Sequence, residues 1–295
     1  MKPVAALGVF GMLCPAVLCV AQTPSATEAI RIETTARSIQ PGELVLFTAR
    51  LTTPVETLRV HALDRNIPAF RVEGRTWQAL VGIDLNTPPG AHPVAFAAES
   101  GGQTIRTTTT LTVAPRTFAT RRITVDDSFV NPTGAVLDRI LKEAAELRNL
   151  WEESTPSRLW DGAFVRPVPD RANSRFGTRS IINGEPRQPH SGVDFLSAAG
   201  TTIKAPNSGQ IVLARELYFT GHTVVIDHGL GMFSLFAHLS SIDVDVGDTI
   251  TTGHIVGHVG ATGRVTGAHL HWTVRLHGAR VDPMAVLAVL NGRMD

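Results

Sequence analysis

Short apolar runs, many of them alternating with polar residues, recur along the chain from about residue 30 and are separated by Gly and Pro. Turn signals stand between the first runs at Pro41-Gly42, Pro88-Pro89-Gly90 and Gly101-Gly102. Regularly spaced short strands with such turns are typical of an immunoglobulin-like β-sandwich, which we expect over residues 28–115. The predicted strands of this domain are residues 44–48, 58–62, 77–81, 93–96 and 104–109.

A second strand-rich region follows over residues 173–295. Its apolar runs are short and have glycines between them, which favours a compact antiparallel β-sheet. We therefore predict a mainly β fold, in which two β domains are joined by a connector over residues 116–172. The predicted strands of the second domain are residues 211–213, 223–226, 233–236 and 271–274.

One segment of the connector, residues 134–153, has the periodicity of an α-helix. Apolar residues recur near helical spacing and charged residues fill the other face, as in a helix that packs on its own protein. Thr133 is a candidate N-cap. The apolar stripe consists of Val136, Ile140, Leu141, Leu147, Leu150 and Trp151, and the polar face includes Asp138, Arg139, Lys142, Glu143, Glu146 and Arg148.

The first 21 residues have the pattern of a secretory signal peptide. Lys2 precedes an apolar run over residues 4–20, and Ala21 supplies a small residue at the expected cleavage point. A transmembrane anchor is one alternative, but the run is shorter than the roughly 20 residues that a spanning helix needs and contains Gly and Pro. A lipid anchor on Cys19 is another, and Leu18 disfavours it. We expect no stable membrane insertion once the leader is removed.

Composition narrows the classes of function. The 295 residues exceed the usual size of one domain, about 100–200 residues, and predict two. The 27 basic and 26 acidic side chains give a formal net charge of +1, which indicates neither nucleic acid nor an anionic membrane as a partner. Both cysteines, Cys14 and Cys19, lie in the predicted leader, so we expect the exported chain to contain no disulfide.

Four histidines and one aspartate of the second domain are candidates for a metal site. His190 and Asp194 form a His-x3-Asp pair, and His269 and His271 form a His-x-His pair whose side chains share a face if the segment is a strand. Two imidazoles and one carboxylate are a ligand set that zinc accepts, with a fourth position left for water. Each pair by itself is also compatible with a surface ion pair or a structural contact. His238 is a further candidate for the site.

A series of short motifs surrounds these residues. It comprises Arg175-Phe176-Gly177, Pro189-His190-Ser191-Gly192-Val193-Asp194, Ala205-Pro206, Gly209, Val224-Val225-Ile226-Asp227-His228-Gly229, Ala237-His238-Leu239, Val246-Gly247-Asp248, Thr262-Gly263, Thr266-Gly267, His269-Leu270-His271 and Asp282-Pro283. The combination, over residues 174–283, resembles the lysostaphin/LytM-type zinc endopeptidases, which cut the peptide part of bacterial peptidoglycan. The resemblance implies that His190, Asp194 and His271 bind one Zn²⁺ per chain and that His238 and His269 are the catalytic imidazoles.

The resemblance and the export signal together imply a periplasmic or cell-envelope enzyme of a bacterium that hydrolyses peptidoglycan crosslinks. A D,D-endopeptidase that cuts between D-alanine and diaminopimelate is favoured over a glycyl-glycine cutter. The main alternative is a non-catalytic or autoinhibited peptidoglycan-binding activator of other cell-wall hydrolases. Loss of a site residue would indicate such a protein, and all five are present.

Other features are given plainer interpretations. Residues 246–253 resemble a turn of biotinyl and lipoyl carrier domains, but Lys204 lacks the flanking residues of an attachment hairpin, which disfavours a carrier. The N-terminal domain is predicted to serve positioning or interaction. Structural roles are predicted for His222, His228, His254, His258 and His277, with His228 in a turn after a strand.

Overall fold

The computed structural model describes residues 29–124, 132–173 and 176–292. The predicted signal peptide, with Cys14 and Cys19, lies outside the described residues, as does Arg175 of the first motif. Within the described ranges, no helix combines the length and the apolar character needed to cross a membrane.

The prediction of a mainly β fold is confirmed, with 48% of the residues in strands and 10% in helices. Twenty strands and two helices are found in the described ranges. The strands are β1 (Ile30–Ala36), β2 (Leu44–Leu51), β3 (Thr57–Ala62), β4 (Arg65–Pro68), β5 (Phe70–Glu73), β6 (Thr76–Gly82), β7 (Gly90–Ser100), β8 (Gln103–Val113), β9 (Thr120–Ile123), β10 (Arg179–Ile182), β11 (Glu185–Pro186), β12 (Gly192–Phe195), β13 (Thr202–Lys204), β14 (Gly209–Leu217), β15 (Gly221–Gly229), β16 (Met232–Ile242), β17 (Thr249–Ile250), β18 (Ile255–Val259), β19 (Leu270–Leu276) and β20 (Ala279–Val281). The helices are α1 (Gly134–Leu150) and α2 (Pro283–Leu290).

Two four-stranded antiparallel sheets make up the N-terminal part of the described chain. Their strand orders are β1-β2-β6-β5 and β4-β3-β7-β8. The two sheets share one hydrophobic core, in which Phe47 and Phe96 meet edge to face with 5.6 Å between ring centroids. Exposed and buried residues alternate along β3, as they do in a strand with one face on a core. Two packed sheets are therefore present, and their immunoglobulin-like class stays a prediction.

A nine-stranded sheet, counted over the described residues, dominates the C-terminal part. Its main path runs β12-β19-β16-β15-β14-β17, with β13, β18 and β20 paired at its sides. Trp272 and Val274 of β19 are buried in a core that includes Val286 of helix α2. Because side chains alternate along a strand, His271 and Thr273 lie on the opposite face of the sheet. That second face is where the candidate site is built.

Helix α1 packs on the same face as His271, but with a different pattern from the predicted one. Leu147 and Leu150 contact the apolar cluster of β14, β15 and β16, and Trp151 meets Phe233 edge to face at 5.3 Å. The helix ends at Leu150, whereas its spacing predicted residues 134–153. Thr133 occupies the N-cap position, as predicted, but its side chain makes no capping hydrogen bond.

The predicted stripe of helix α1 is also only partly correct. Leu141 is 58% exposed, whereas Glu143, which was assigned to the polar face, is buried. Hydrogen bonds compensate the burial of this carboxylate: Arg139 donates to one oxygen at 2.7 Å and the backbone N–H of Tyr218 to the other at 2.8 Å. The first half of the helix is therefore held by a polar contact with the turn that follows β14.

Ion pairs join the N-terminal sheets to the C-terminal sheet. Arg280 of β20 donates two side-chain hydrogen bonds to Asp84, at 2.9 and 2.6 Å. Arg37 donates to Glu43 and also to Asp282, both at 2.7 Å. Asp282 in turn accepts from the backbone N–H of the second residue of α2 and so caps that helix. Apolar side chains from β2 and β6 complete the contact by entering the C-terminal core.

Candidate metal centre and active site

Strand pairing brings two of the predicted metal ligands together. Asp194 in β12 lies directly opposite His271 in β19 in the antiparallel register. His190 reaches the same point from the segment that leads into β12. Gly192 is required in this pairing, because a Cβ atom there would overlap the carbonyl oxygen of Trp272. The His-x3-Asp spacing therefore acts through a strand and the extended segment before it, not through a helix face.

The three side chains converge with ligand atoms close together. His190 Nε2 is 3.1 Å from Asp194 Oδ1 and 3.1 Å from His271 Nδ1, and the last two atoms are 2.8 Å apart. Among the described residues, these three form the cluster of potential metal ligands, with one donor atom each within 4.8 Å of the others. Two imidazole nitrogens and one carboxylate oxygen fit a catalytic zinc site, which leaves one position open.

The surroundings of His271 and Asp194 favour the protonation states in which these side chains bind a metal ion. His271 Nε2 is 2.9 Å from Thr273 Oγ1, so a proton on Nε2 leaves the lone pair of Nδ1 facing the cluster. Burial alone would raise the pKa of Asp194, but the neighbouring imidazoles of His190 and His271 outweigh it and hold that pKa well below its usual value. Burial lowers the pKa of His271. The carboxylate is therefore ionised and the imidazole neutral, the forms that bind metal.

Two further imidazoles, His238 and His269, flank the ligand cluster. Their ring centroids are 4.9 Å apart, and His269 Nε2 is 3.9 Å from Asp194 Oδ1. Nδ1 of His238 is 2.9 Å from the carbonyl oxygen of Thr262, and Nδ1 of His269 is 2.9 Å from that of Gly267. A carbonyl oxygen only accepts, so both Nδ1 atoms carry the proton. In the neutral form of each ring, the lone pair is therefore on Nε2.

His238 also has an unusual backbone. Its φ of 69° lies in the left-handed region, which non-glycine residues rarely adopt. The backbone N–H of His238 donates to the carbonyl oxygen of Thr220 at 2.8 Å, which holds the residue out of the regular ladder. Burial, together with the nearby His271 and His269, lowers the pKa of His238 to about 4, so the ring is neutral near pH 7. Strained backbone of this kind is concentrated at functional sites.

The loop over residues 260–269 contains His269 and contacts His238 through Thr262. The side chain of Thr262 donates to the carbonyl oxygen of Leu239 at 2.7 Å and accepts from the backbone N–H of His222 at 2.9 Å. Gly263, with φ of 77°, packs so closely on Gly221 that an added Cβ would overlap its nitrogen. The loop is therefore fixed against the turn between β14 and β15. Because the carbonyl oxygen of Thr262 accepts from Nδ1 of His238, this contact also fixes the orientation of the His238 ring.

Sequence reasoning missed the residues that orient the site. Thr273 is two residues after His271, so the period of a strand could have identified it. Thr262 stood in a quoted motif without a role. The prediction of a turn at His228 is wrong: the residue lies inside β15 and is fully buried, with Nδ1 2.8 Å from the carbonyl oxygen of Ser208 and Nε2 2.9 Å from Ser234 Oγ. These contacts agree with the structural role that was predicted for the side chain of His228.

Comparison with known proteins agrees with this geometry. Residues 188–283 match the model of Peptidase family M23. The chain is 35% identical over 126 residues to the DD-carboxypeptidase/endopeptidase Mpg of Neisseria meningitidis, a match that covers 42% of this chain and 29% of that protein. It is 36% identical over 115 residues to the peptidoglycan DD-endopeptidase ShyA of Vibrio cholerae, covering 39% and 27%. The match thus spans less than a third of the length of these curated relatives.

One solved structure resembles the chain beyond the catalytic region. The crystal structure of a peptidase M23 from Pseudomonas aeruginosa is 33% identical and has a TM-score of 0.67, and the match covers 87% of this chain and 96% of that one. The resemblance inferred from the motifs is thereby confirmed, and the chain belongs to peptidase family M23.

Proposed function

We propose that the protein is a zinc-dependent endopeptidase that hydrolyses the peptide crosslinks of bacterial peptidoglycan. The observation that carries the proposal is the convergence of three metal ligands with two imidazoles whose Nε2 atoms are free. Named relatives support the substrate, because ShyA of V. cholerae is a peptidoglycan DD-endopeptidase. A D-alanyl bond to diaminopimelate is the bond we expect to be cut.

His190 Nε2, Asp194 Oδ1 and His271 Nδ1 would hold the zinc ion. When bound there, zinc supplies a Lewis acid that polarises the scissile carbonyl and acidifies a water molecule. Thr273 keeps His271 in the tautomer that presents Nδ1, and Gly192 allows the close strand pairing that sets Asp194 opposite it.

His238 and His269 would move the protons. In each ring, the Nδ1–H group donates to a carbonyl oxygen, so the neutral ring can accept a proton at Nε2. The imidazole that takes a proton from the attacking water then carries an Nε2–H. That group can donate to the developing oxyanion and afterwards to the leaving amine. Neutral rings near pH 7 are a condition for this role, and the lowered pKa of His238 meets it.

We further propose how the chain is divided and where it acts. Residues 1–21 would be an export signal, 28–115 a β-sandwich, 116–172 a connector and 173–295 the peptidase domain. The two four-stranded sheets and the nine-stranded sheet support the second and fourth parts. Export to the periplasm or cell envelope would bring the enzyme to its substrate.

Digestion of purified peptidoglycan tests the proposed activity. The chain from residue 22 onward, loaded with zinc, is incubated with peptidoglycan in the presence and absence of a chelator, and the fragments are identified by mass spectrometry. Zinc-dependent loss of crosslinked fragments is expected, and the masses identify the bond. The Asp194→Ala variant is the matched negative control. Intact crosslinks after treatment with fully metal-loaded protein would contradict the proposal.

A further inference from the structure

Arg264 belongs to the loop that contacts the catalytic His238. It lies in the loop over residues 260–269, two residues after the carbonyl group that holds the ring of His238. The backbone N–H of Arg264 donates to the carbonyl oxygen of Phe219 at 2.9 Å. The preceding Gly263 packs on the same turn. The backbone of Arg264 is therefore positioned by the contacts that also position His238.

The side chain of Arg264 is held by stacking and not by an acid. Its guanidinium carbon is 4.2 Å from the ring centroid of Phe219, and Tyr218 supports that ring edge to face at 5.0 Å. Over the described ranges, no carboxylate lies within ion-pair distance of Arg264, although the residue is exposed. Stacking uses the face of the guanidinium and leaves its in-plane N–H groups free to donate.

A second arginine adds positive charge to this region. Arg187 lies three residues before the ligand His190, and its charge, after burial, is the next cause that lowers the pKa of Arg264. Arg187 already has an acidic neighbour, because it donates to Glu185 at 2.8 Å. Arg264 is therefore the arginine of this pair that has no acidic partner in the described part of the chain. A planar guanidinium with free N–H groups matches a carboxylate through two parallel hydrogen bonds.

We propose that Arg264 binds a carboxylate of the peptide substrate next to the scissile bond. The inference rests on the proposed peptidoglycan endopeptidase function and narrows its substrate class. An acidic crosslink, in which the diamino acid carries a free carboxylate, is the preferred substrate, and a neutral glycine bridge is a poor one. Phe219 is the platform that holds the guanidinium in place, and the loop fixed by Thr262 sets its distance from the catalytic imidazoles.

A pair of synthetic crosslinked peptides tests this role. The two peptides are identical except that the diamino acid beside the scissile bond carries a carboxylate in one and a carboxamide in the other. The wild-type full chain, loaded with zinc, is expected to cleave the carboxylate peptide with a kcat/KM about 10- to 100-fold higher. Arg264→Gln is expected to remove that preference, losing activity on the carboxylate peptide and staying within about twofold of wild type on the carboxamide.

Three controls separate binding from structure. Arg264→Lys keeps the charge without the planar fork and is expected to restore part of the preference. Arg59→Gln, on an exposed position of the N-terminal sheets, is expected to change neither substrate. Zinc content and the melting temperature of Arg264→Gln are measured to show that the loop is intact.

The outcomes distinguish the inference from the proposed function. An equal loss on both peptides would show that Arg264 only braces its loop and would overturn the inference, as would a wild-type enzyme without preference. If wild-type protein cleaves neither peptide, the proposed function fails. Calorimetric binding of the two peptides to the zinc-loaded wild type and to Arg264→Gln then still decides whether Arg264 recognises the carboxylate.

Discussion

At the candidate site, individual hydrogen bonds decide which ring nitrogen of each histidine is free. Thr273 faces Nε2 of His271, which turns Nδ1 toward the ligand cluster. Carbonyl oxygens hold Nδ1 of His238 and of His269, which leaves Nε2 free in both. The same residue type therefore presents a different ring nitrogen at different positions, and the difference lies in its hydrogen-bond partner.

Removing a ligand and removing a catalytic imidazole should have different effects. We expect His269→Ala to keep zinc but to lose turnover by about 10²- to 10⁴-fold, since proton transfer is lost while the ligand set is intact. Asp194→Ala should lose both zinc and activity, because a ligand is removed. Metal content by elemental analysis and peptidoglycan cleavage are measured on both variants. Equal loss of metal in the two would contradict these roles.

The hydrogen bond to Thr273 should be visible in the metal affinity. Thr273→Val keeps the shape of this buried side chain but leaves His271 Nε2 without its partner. We expect zinc affinity to fall by about 10- to 100-fold. Competition with a chromophoric chelator measures the change, and Thr108→Val, on an exposed position of β8, is the matched control. An affinity equal to that of wild type would rule out this orienting role.

A structural histidine should make stability depend on pH. Burial lowers the pKa of His228 to about 4, whereas an unfolded histidine titrates near 6.5. Between these values the unfolded chain binds more protons, so the free energy of unfolding falls as pH falls, by up to about 1.4 kcal/mol per pH unit. Urea unfolding at pH 7, 6 and 5 gives the free energy of unfolding at each pH. This free energy should change less with pH in His228→Gln than in wild type. An unchanged pH dependence of the free energy of unfolding in His228→Gln would refute the assignment.

The turn between β14 and β15 contacts both His238 and the loop over residues 260–269. Its residues Phe219 and Thr220 provide backbone carbonyls to Arg264 and His238. On its other side, Glu143 of helix α1 accepts the backbone N–H of Tyr218. The helix thus supports the turn, and the turn supports both the strained His238 and the loop over residues 260–269.

Loss of that support should loosen the turn without removing metal. In Glu143→Ala the backbone N–H of Tyr218 loses its acceptor, and we expect a cost of about 1–3 kcal/mol in the free energy of unfolding. Hydrogen exchange over residues 218–223 should accelerate and kcat should fall several-fold, with zinc content unchanged. Glu143→Gln keeps an acceptor oxygen and should lie between Glu143→Ala and wild type. Protection in this segment that does not change would show that the helix does not hold the turn.

For the whole molecule, the ion pairs between the two parts favour one cooperative unit. Asp84 and Arg280 are mostly buried, with side chains 20% and 12% exposed, and hydrogen bonds from Arg280 help to lower the pKa of Asp84 to about 2 against the opposing effect of burial. The apolar core that contains the strands of the peptidase sheet also includes Leu44 and Leu80 from the N-terminal sheets. The N-terminal part is therefore packed on the peptidase part and not linked to it as a free module.

Removing one partner of the buried pair should destabilise the whole chain. We expect Asp84→Ala to cost about 2 kcal/mol or more, because the guanidinium of Arg280 is left buried and unpaired. Glu33→Ala, which removes exposed ion pairs with Arg31 and Arg50, should cost less than about 1 kcal/mol. Calorimetry should show one transition in each case. Two separate transitions, or equal costs in the two variants, would contradict a single cooperative unit.

The prediction of the fold class succeeded because its signal is local. The short apolar runs and glycine turns indicated a mainly β chain, because the alternation of a strand involves only neighbouring residues. The five candidate site residues could be named because few residue types bind metal or transfer protons, and the structure brings all five together. The helix was located, but its stripe was misread, because Glu143 is buried only through its contact with Tyr218.

The amino-acid sequence by itself thus determined nine of the twenty described strands, the approximate position of helix α1 and the residue types of the site. Only the tertiary structure decided the register that sets Asp194 against His271, the carbonyl groups that choose the free nitrogens of His238 and His269, and the packing of the two parts. The physical reason is distance along the chain. Each of these contacts except the one at His269 joins residues that are far apart in sequence, and only the complete fold brings them within hydrogen-bonding distance or into one core.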